Sequence, residues 1–258
     1  MTDPGWLQLC AFWALATLGG WTQTITGFAL GLIVMSGSTL FRLLPLPMAA
    51  GIVSILVLVN GAMVLTRDWR HADRRIVTAA TLAALPGIAL GVWLLGWMAD
   101  EALNLLRLIL GLFIAAAALQ LVRRPEPWAR PSPPAAFAAA GGAGGVMGGL
   151  FATSGPPLIW LIYRQPLALD TIRVTLVTYF CLTQAWRLGM VTASGGLSAR
   201  MLVATAGAVP AIALGTWIAR RFPPRISPLT LRRGALVLLL LSGVALVVTA
   251  MLAMLRGA

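Results

Sequence analysis

Two stretches of the sequence concentrate residue types that hold an anion without a charged side chain. The first, GGWTQTITGFALG (19–31), carries Gln23, Thr24, Thr26 and Gly27. The second, GGVMGGLFATSGPPLIW (144–160), carries Thr153, Ser154, Gly155, Pro156 and Pro157. A glycine interrupts a helix and lets backbone approach a ligand, and a proline suits the first turn of the helix that restarts. Amides exposed at such a restart, with hydroxyls beside them, form an oxyanion site. Close helix packing by small residues is the competing reading. It suits the pairs Gly19-Gly20, Gly144-Gly145 and Gly148-Gly149, whereas the Thr26-Gly27 and Ser154-Gly155 breaks are expected to bind substrate.

Asn60 and Gln184 are carboxamides on otherwise apolar stretches. They either donate to an oxyanion or hydrogen-bond between helices, and the sequence favours neither. Arg187 follows Gln184 by three residues, on the same helix face. An intramembrane Arg marks function by default, although one near a helix end also snorkels to the interface. Trp21, Phe28, Trp160 and Trp186 could wall a site, but aromatics in membrane helices more often pack or sit at the interface. Covalent chemistry has no support: no His, Lys, Asp or Glu lies in an apolar stretch to act as base for Ser154. The single His, His71, lies in the charged segment 67–75, and Cys10 and Cys181 are expected to be buried packing residues. No catalytic residue, metal site or cofactor is expected.

The elements that must position these residues follow from charge. The chain has 258 residues, 59% hydrophobic and 10% charged, with mean hydropathy +0.90, against roughly 25% charge in soluble domains. Residues 4–41, 43–66, 76–99, 131–163, 201–219 and 234–255 are uncharged. A spanning helix needs about 20 apolar residues, so this is an all-α polytopic membrane protein with about eight to ten membrane segments. The net charge of +12 sits as Arg in short loops, which argues for topology rather than nucleic acid. The start, MTDPGW, has no basic segment, so no cleaved signal peptide is expected.

A repeat organises the chain. ALPGIALGVW (84–93) and AVPAIALGTW (208–217) share Ile-Ala-Leu-Gly-x-Trp, with Pro86 matching Pro210. Asn60 then matches Gln184, and Thr26-Gly27 falls opposite Ser154-Gly155. Five apolar segments per half (5–21, 26–41, 47–66, 76–98 and 103–122, then 135–149, 153–163, 174–192, 201–219 and 234–255) predict residues 1–122 as a first membrane repeat and 135–258 as a second. The Pro-rich segment 123–134 links them on the cytoplasmic side. Placing loops 67–75, 123–134, 164–173 and 220–233 in the cytoplasm puts 14 of the 19 Arg there. Arg42, Arg107, Arg187, Arg200 and Arg256 then fall on or towards the other side. An odd number of segments per half makes the repeat inverted, with both termini outside. The runs 4–41 and 131–163 are tight for two spans each and are broken midway. They are expected to be re-entrant hairpins, which are tolerated where they line a cavity. Matching interruptions in two halves point to a transporter's substrate site, with the two breaks converging near the bilayer midplane.

GGWTQTITGFALGLIVM and GGLFATSGPPLIWLIY resemble the two glycine-rich signatures of the TauE/SafE family of sulfite and organosulfur-anion exporters. The repeated Pro and Gly of segments four and nine, and Leu106-Arg107 opening segment five, are similar too. Ala-Thr-Ser stands before Gly155, where the family more often has Gly. The resemblance implies passage of a small sulfur-containing anion, such as sulfite, thiosulfate or a sulfonate; together with the repeat it gives the expectation of an inner-membrane exporter working by alternating access between two inverted halves. Alternatives are a carrier of another small anion or of a neutral sulfur compound, or a non-transporting scaffold. The expected partners are the small anion and the lipid bilayer, with no nucleic acid; a homo-oligomer is compatible with the sequence. No Asp or Glu lies within a span. One negative charge crossing ~100 mV is worth about 2.3 kcal/mol, so an inside-negative potential alone drives anions outward.

Overall fold

The computed structural model describes residues 6–41, 43–44, 46–97, 104–105, 108, 111–112, 115, 119, 127–151, 154–195, 198–223 and 228–257. Thr153, Arg42, Arg107, Arg123, Arg124, Arg225, Asp100, Glu101 and most of segment 103–122 lie outside the described residues. Regular structure among them is helical throughout: α1 (Trp6–Thr26), α2 (Leu30–Leu40), α3 (Leu46–Asp68), a 3-10 turn (Trp69–His71), α4 (Arg74–Trp97), α5 (Pro134–Phe151), α6 (Pro156–Ile162), α7 (Leu169–Ala193), α8 (Ala199–Arg221) and α9 (Pro228–Gly257).

Local chemistry sets the helix starts. The Asp73 carboxylate accepts from the Arg75 and Ile76 amides at 3.0 and 3.1 Å, which opens α4. The Ser198 hydroxyl accepts from Met201 N at 3.2 Å and opens α8. Proline opens α5, α6 and α9, where its missing N–H is not needed. Asp170 stands in the first turn of α7, where the helix dipole favours a negative charge.

Residues Met48–His71, Arg74–Leu94 and Met201–Arg221 are long and apolar enough to cross a membrane. With the all-helical architecture they make this a polytopic membrane protein. The interrupted runs are divided unequally. Helix α1 has 21 residues, about 31 Å. Helix α2 has 11 and α6 has 7, about 16 and 10 Å, against a hydrocarbon core of about 30 Å. Each run is thus one longer helix followed by a short one, α5 having 18 residues, about 27 Å, and the short arms fall well short of a crossing.

The chain forms two compact units. One holds residues 1–81 and 168–225, that is α1–α3, the start of α4, α7 and α8. The other holds 82–167 and 226–258, that is the rest of α4 with α5, α6 and α9. Each unit therefore takes helices from both sequence halves. The Ile-Ala-Leu-Gly-x-Trp motif makes a close crossing inside each. In the first, Gly215 of α8 lies on the Thr17 carbonyl of α1 with no room for a Cβ. The Thr17 hydroxyl donates to Ala211 O at 3.1 Å. In the second, Gly87 and Gly91 of α4 cross α5 at Gly142, Gly145, Val146 and Gly149; a Cβ on Gly87 would lie 2.6 Å from Gly142 O. Small residues allow this backbone approach, the dominant route to helix association in lipid. Cys181 meets the expectation of a packed thiol by facing Gly61. Cys10 does not: it is exposed, on the outer face of α1.

Candidate functional site

Helix α1 ends in a run of hydroxyls that satisfy themselves on their own helix. Thr22 and Thr24 donate to Leu18 O and Gly20 O at 2.8 and 2.7 Å. The Thr26 hydroxyl has two acceptors in reach, Thr22 O at 2.8 Å and Phe28 O at 3.0 Å, and accepts from Phe28 N at 3.3 Å. Gly27 then turns the chain at φ +86°, a left-handed conformation that glycine adopts freely. Its Cα lies so close to α7 that a Cβ would stand 2.7 Å from Arg173 O. Ala29 also has positive φ, +88°, without glycine's freedom. The first backbone bond of α2 is Ile33 N to Ala29 O, 2.8 Å. The Leu30, Gly31 and Leu32 amides precede it and have no helical acceptor. Thr22, Gln23, Thr24, Thr26, Phe28, Ala29 and Leu30 are all buried.

Asn60 and Gln184, paired by the repeat, belong to separate polar clusters in the same unit. Asn60 is fully buried. Its Nδ2 donates to Thr24 Oγ1 at 2.9 Å and Thr216 Oγ1 at 2.8 Å, with a longer approach to Gly20 O at 3.4 Å. Its Oδ1 accepts from Gln23 Nε2 at 3.0 Å. The amide thus braces α1, α3 and α8, and both its protons are taken by protein. Gln184 instead accepts from the Ser54 hydroxyl at 3.0 Å. Arg187 Nη1 donates to Ser54 Oγ at 2.9 Å and Ala50 O at 3.2 Å, and its Nε is buried without a partner. Ser54 precedes Asn60 by six residues on α3, about 9 Å. Sequence reasoning missed Thr216 and Ser54. Thr216 had a signal, since it is the variable position of the repeated motif, where Val92 stands in the other copy.

Sequence reasoning also missed Arg173, which it assigned to topology alone. Its Nη1 donates to Thr24 O at 3.3 Å, and its Nη2 pairs with Asp68 at 3.1 Å and Asp170 at 3.3 Å. It ties the end of α1 to the end of α3.

The second break lies in the other unit. Ser154 is buried and its hydroxyl fills the space left by Gly148, where a Cβ would collide with it. Gly148, expected to serve helix packing, is therefore the floor beneath Ser154. Gly155 is right-handed, φ −86° and ψ −45°, so no left-handed turn is made here. Pro156 and Pro157 contribute no N–H, and Ile159 N is already bonded to Gly155 O at 2.9 Å. Leu158 alone supplies a first-turn amide, against three at α2. Beyond the helix, Arg164 stacks on Trp160 and Trp128, with 4.9 and 5.3 Å to the ring centroids. Burial pulls the Arg164 guanidinium below its ordinary pKa. Trp160 thus holds the loop at the end of α6. Phe28 is buried beside the first break, Trp21 is half-buried and Trp186 is exposed. Among the described residues no His, Cys, Asp or Glu cluster could hold a metal.

The fold is that of a polytopic membrane protein, with helices interrupted at places the sequence repeat pairs and buried hydroxyls beside each interruption. The chain belongs to the sulfite exporter TauE/SafE family, whose model matches residues 12–246. It is 38% identical over 244 residues to the "Probable sulfite/organosulfonate exporter TauE" of Cupriavidus necator, covering 95% of each chain. It is 31% identical over 182 residues to the "Probable inner membrane transporter protein TsaS" of Comamonas testosteroni, covering 67% of this chain and 73% of that one. No solved structure matches it.

Proposed function

We propose that this protein exports a small sulfur-containing oxyanion, such as sulfite, thiosulfate or a sulfonate, across the inner membrane by alternating access between two inverted halves. The observation that carries the reading is the α1–α2 break: three first-turn amides open beside Thr26 and Gly27, in a buried environment. The described carboxylates of that unit, Asp68, Asp73 and Asp170, stand at helix ends, and Asp68 and Asp170 are paired with Arg173. Such a site favours an anion through aligned N–H dipoles. Gln23, Thr24, Thr26 and Gly27 form this station, and Asn60 holds it rigid. Thr153, Ser154, Gly155 and Pro156 are its counterpart in the second half, with fewer amides and a correspondingly larger role for the Ser154 hydroxyl. Gln184 and Arg187 provide a separate, cationic station. The close crossing made once by each copy of Ile-Ala-Leu-Gly-x-Trp supports the division into repeats 1–122 and 135–258. The Arg distribution supports an orientation with both termini outside.

Binding measured on purified protein with sulfite, thiosulfate, sulfoacetate, taurine and inorganic sulfate tests the reading. At least one sulfur oxyanion should bind, and Ser154→Ala should weaken it about tenfold to a hundredfold, the loss of one charge-assisted hydrogen bond. A folded protein that binds none of the panel leaves the scaffold reading standing. One that binds only other anions, or only neutral taurine at its zwitterionic pH, transfers the function to those substrates.

A further inference from the structure

We propose that Arg173 is the gate through which an anion reaches the α1–α2 break, and that Asp68 is the built-in anion that occupies this gate at rest. The inference rests on the function proposed above. It starts from a guanidinium with unequal partners. Nη1 donates to Thr24 O, a carbonyl in the last turn of α1. Nη2 bonds Asp68 at 3.1 Å and lies 3.3 Å from Asp170, while Nε is buried with no partner. The backbone of the same residue lies against Gly27, the turning point of the break. One side chain therefore touches the end of α1, the end of α3 and the outer surface of the protein, since Asp170 is 77% exposed and Asp68 27%.

The charges explain why this arrangement is closed and why an anion opens it. Asp68 already holds Nη2, so an approaching oxyanion finds that donor taken until Asp68 turns away. If Asp68 turns away, the planar fork of Arg173 is left with donors that match a sulfonate or sulfite as well as a carboxylate. The exchange replaces one charge-assisted bond by another of the same kind, so substrate concentration can drive it. Asp68 has somewhere to go: it ends α3, and the 3-10 turn that follows carries Arg70 beside an exposed Trp69. Drawing the guanidinium to the anion also takes it from Thr24 O, which loosens the last turn of α1 next to Gly27. Admission of the anion and release of the break are then one event.

The full-length protein, purified in detergent and titrated with sulfoacetate, tests the gate. Asp68→Asn should tighten binding about two- to fivefold, the worth of a partly exposed ion pair that no longer competes. Arg173→Gln should weaken it about tenfold or more, and Arg173→Lys should restore part of the loss. Asp170→Asn, at the exposed partner, should change it by under about twofold. Opposite signs for the two partners of one ion pair are the signature, because a purely structural pair lowers thermal stability from either side and moves affinity the same way or not at all. Asp68→Asn binding like the wild type or more weakly would overturn the gate, even if Arg173→Gln proved unable to fold. A wild type that bound no oxyanion would overturn the proposed function itself, and the gate with it.

Discussion

Ala29 holds a backbone conformation that costs a non-glycine residue of order 1–3 kcal/mol, two residues after the break. Ala29→Gly should therefore raise the stability of the purified protein by about 1 kcal/mol, read as a higher melting temperature. The same substitution at Ala16, a buried position in regular α1, should lower it by about as much. Asn60→Ala removes the acceptor of Gln23 Nε2 and the donor to Thr24 and Thr216 in a buried setting. It should cost about 1–3 kcal/mol of stability, visible as a lower melting temperature. The residue types at the candidate site were legible in the sequence: Gln23, Thr24, Thr26, Asn60 and Gln184 are polar residues within long uncharged, largely apolar stretches. Their partners were not. Asn60 bonds residues 37 positions before it and 156 after it, and the repeat equated it with Gln184 although the residues around the two differ. Arg173 looked like any loop arginine because the carbonyl it caps belongs to a helix 149 residues away.

The glycines of the helices divide by what they face. Gly148 faces the Ser154 hydroxyl, so Gly148→Ala should weaken anion binding by displacing Ser154, where a glycine with a mere packing role would change stability alone. Gly189 of α7 has no neighbour within 4 Å of a built Cβ. Gly189→Ala should stabilise by about 0.5–1 kcal/mol through helix propensity, and thermal unfolding of both variants checks the contrast. The existence and order of the helices were readable from charge-free runs and from starts such as Asp73 and Ser198. The unequal division of the two interrupted runs was not. Gly27 and Gly155 look alike in sequence, yet Gly27 is left-handed and Gly155 right-handed, standing as the N-cap of a helix that two prolines open.

At the scale of the molecule, each compact unit draws helices from both sequence halves. A repeat is visible in sequence as order along the chain, but the choice of packing partner depends on which glycine faces fit, as Gly215 fits Thr17 and Gly87 fits Gly142. Orientation is checked by single cysteines placed in 67–75 and 220–233 after Cys10 and Cys181 are replaced. Both loops should be labelled from the cytoplasmic side, and labelling from opposite sides would contradict the inverted repeat. The central claim, a carrier that binds an oxyanion by amides and hydroxyls and needs no carboxylate for proton coupling, is tested most directly by sulfonate flux in proteoliposomes under an imposed membrane potential. A sulfonate keeps one negative charge at any working pH, and each ~100 mV contributes about 2.3 kcal/mol to its movement. The account predicts flux that follows the potential with no pH gradient present and is lost when Thr26 and Ser154 are both changed to Ala. Flux that requires a pH gradient and ignores voltage, or that persists unchanged in the folded double variant, would contradict it.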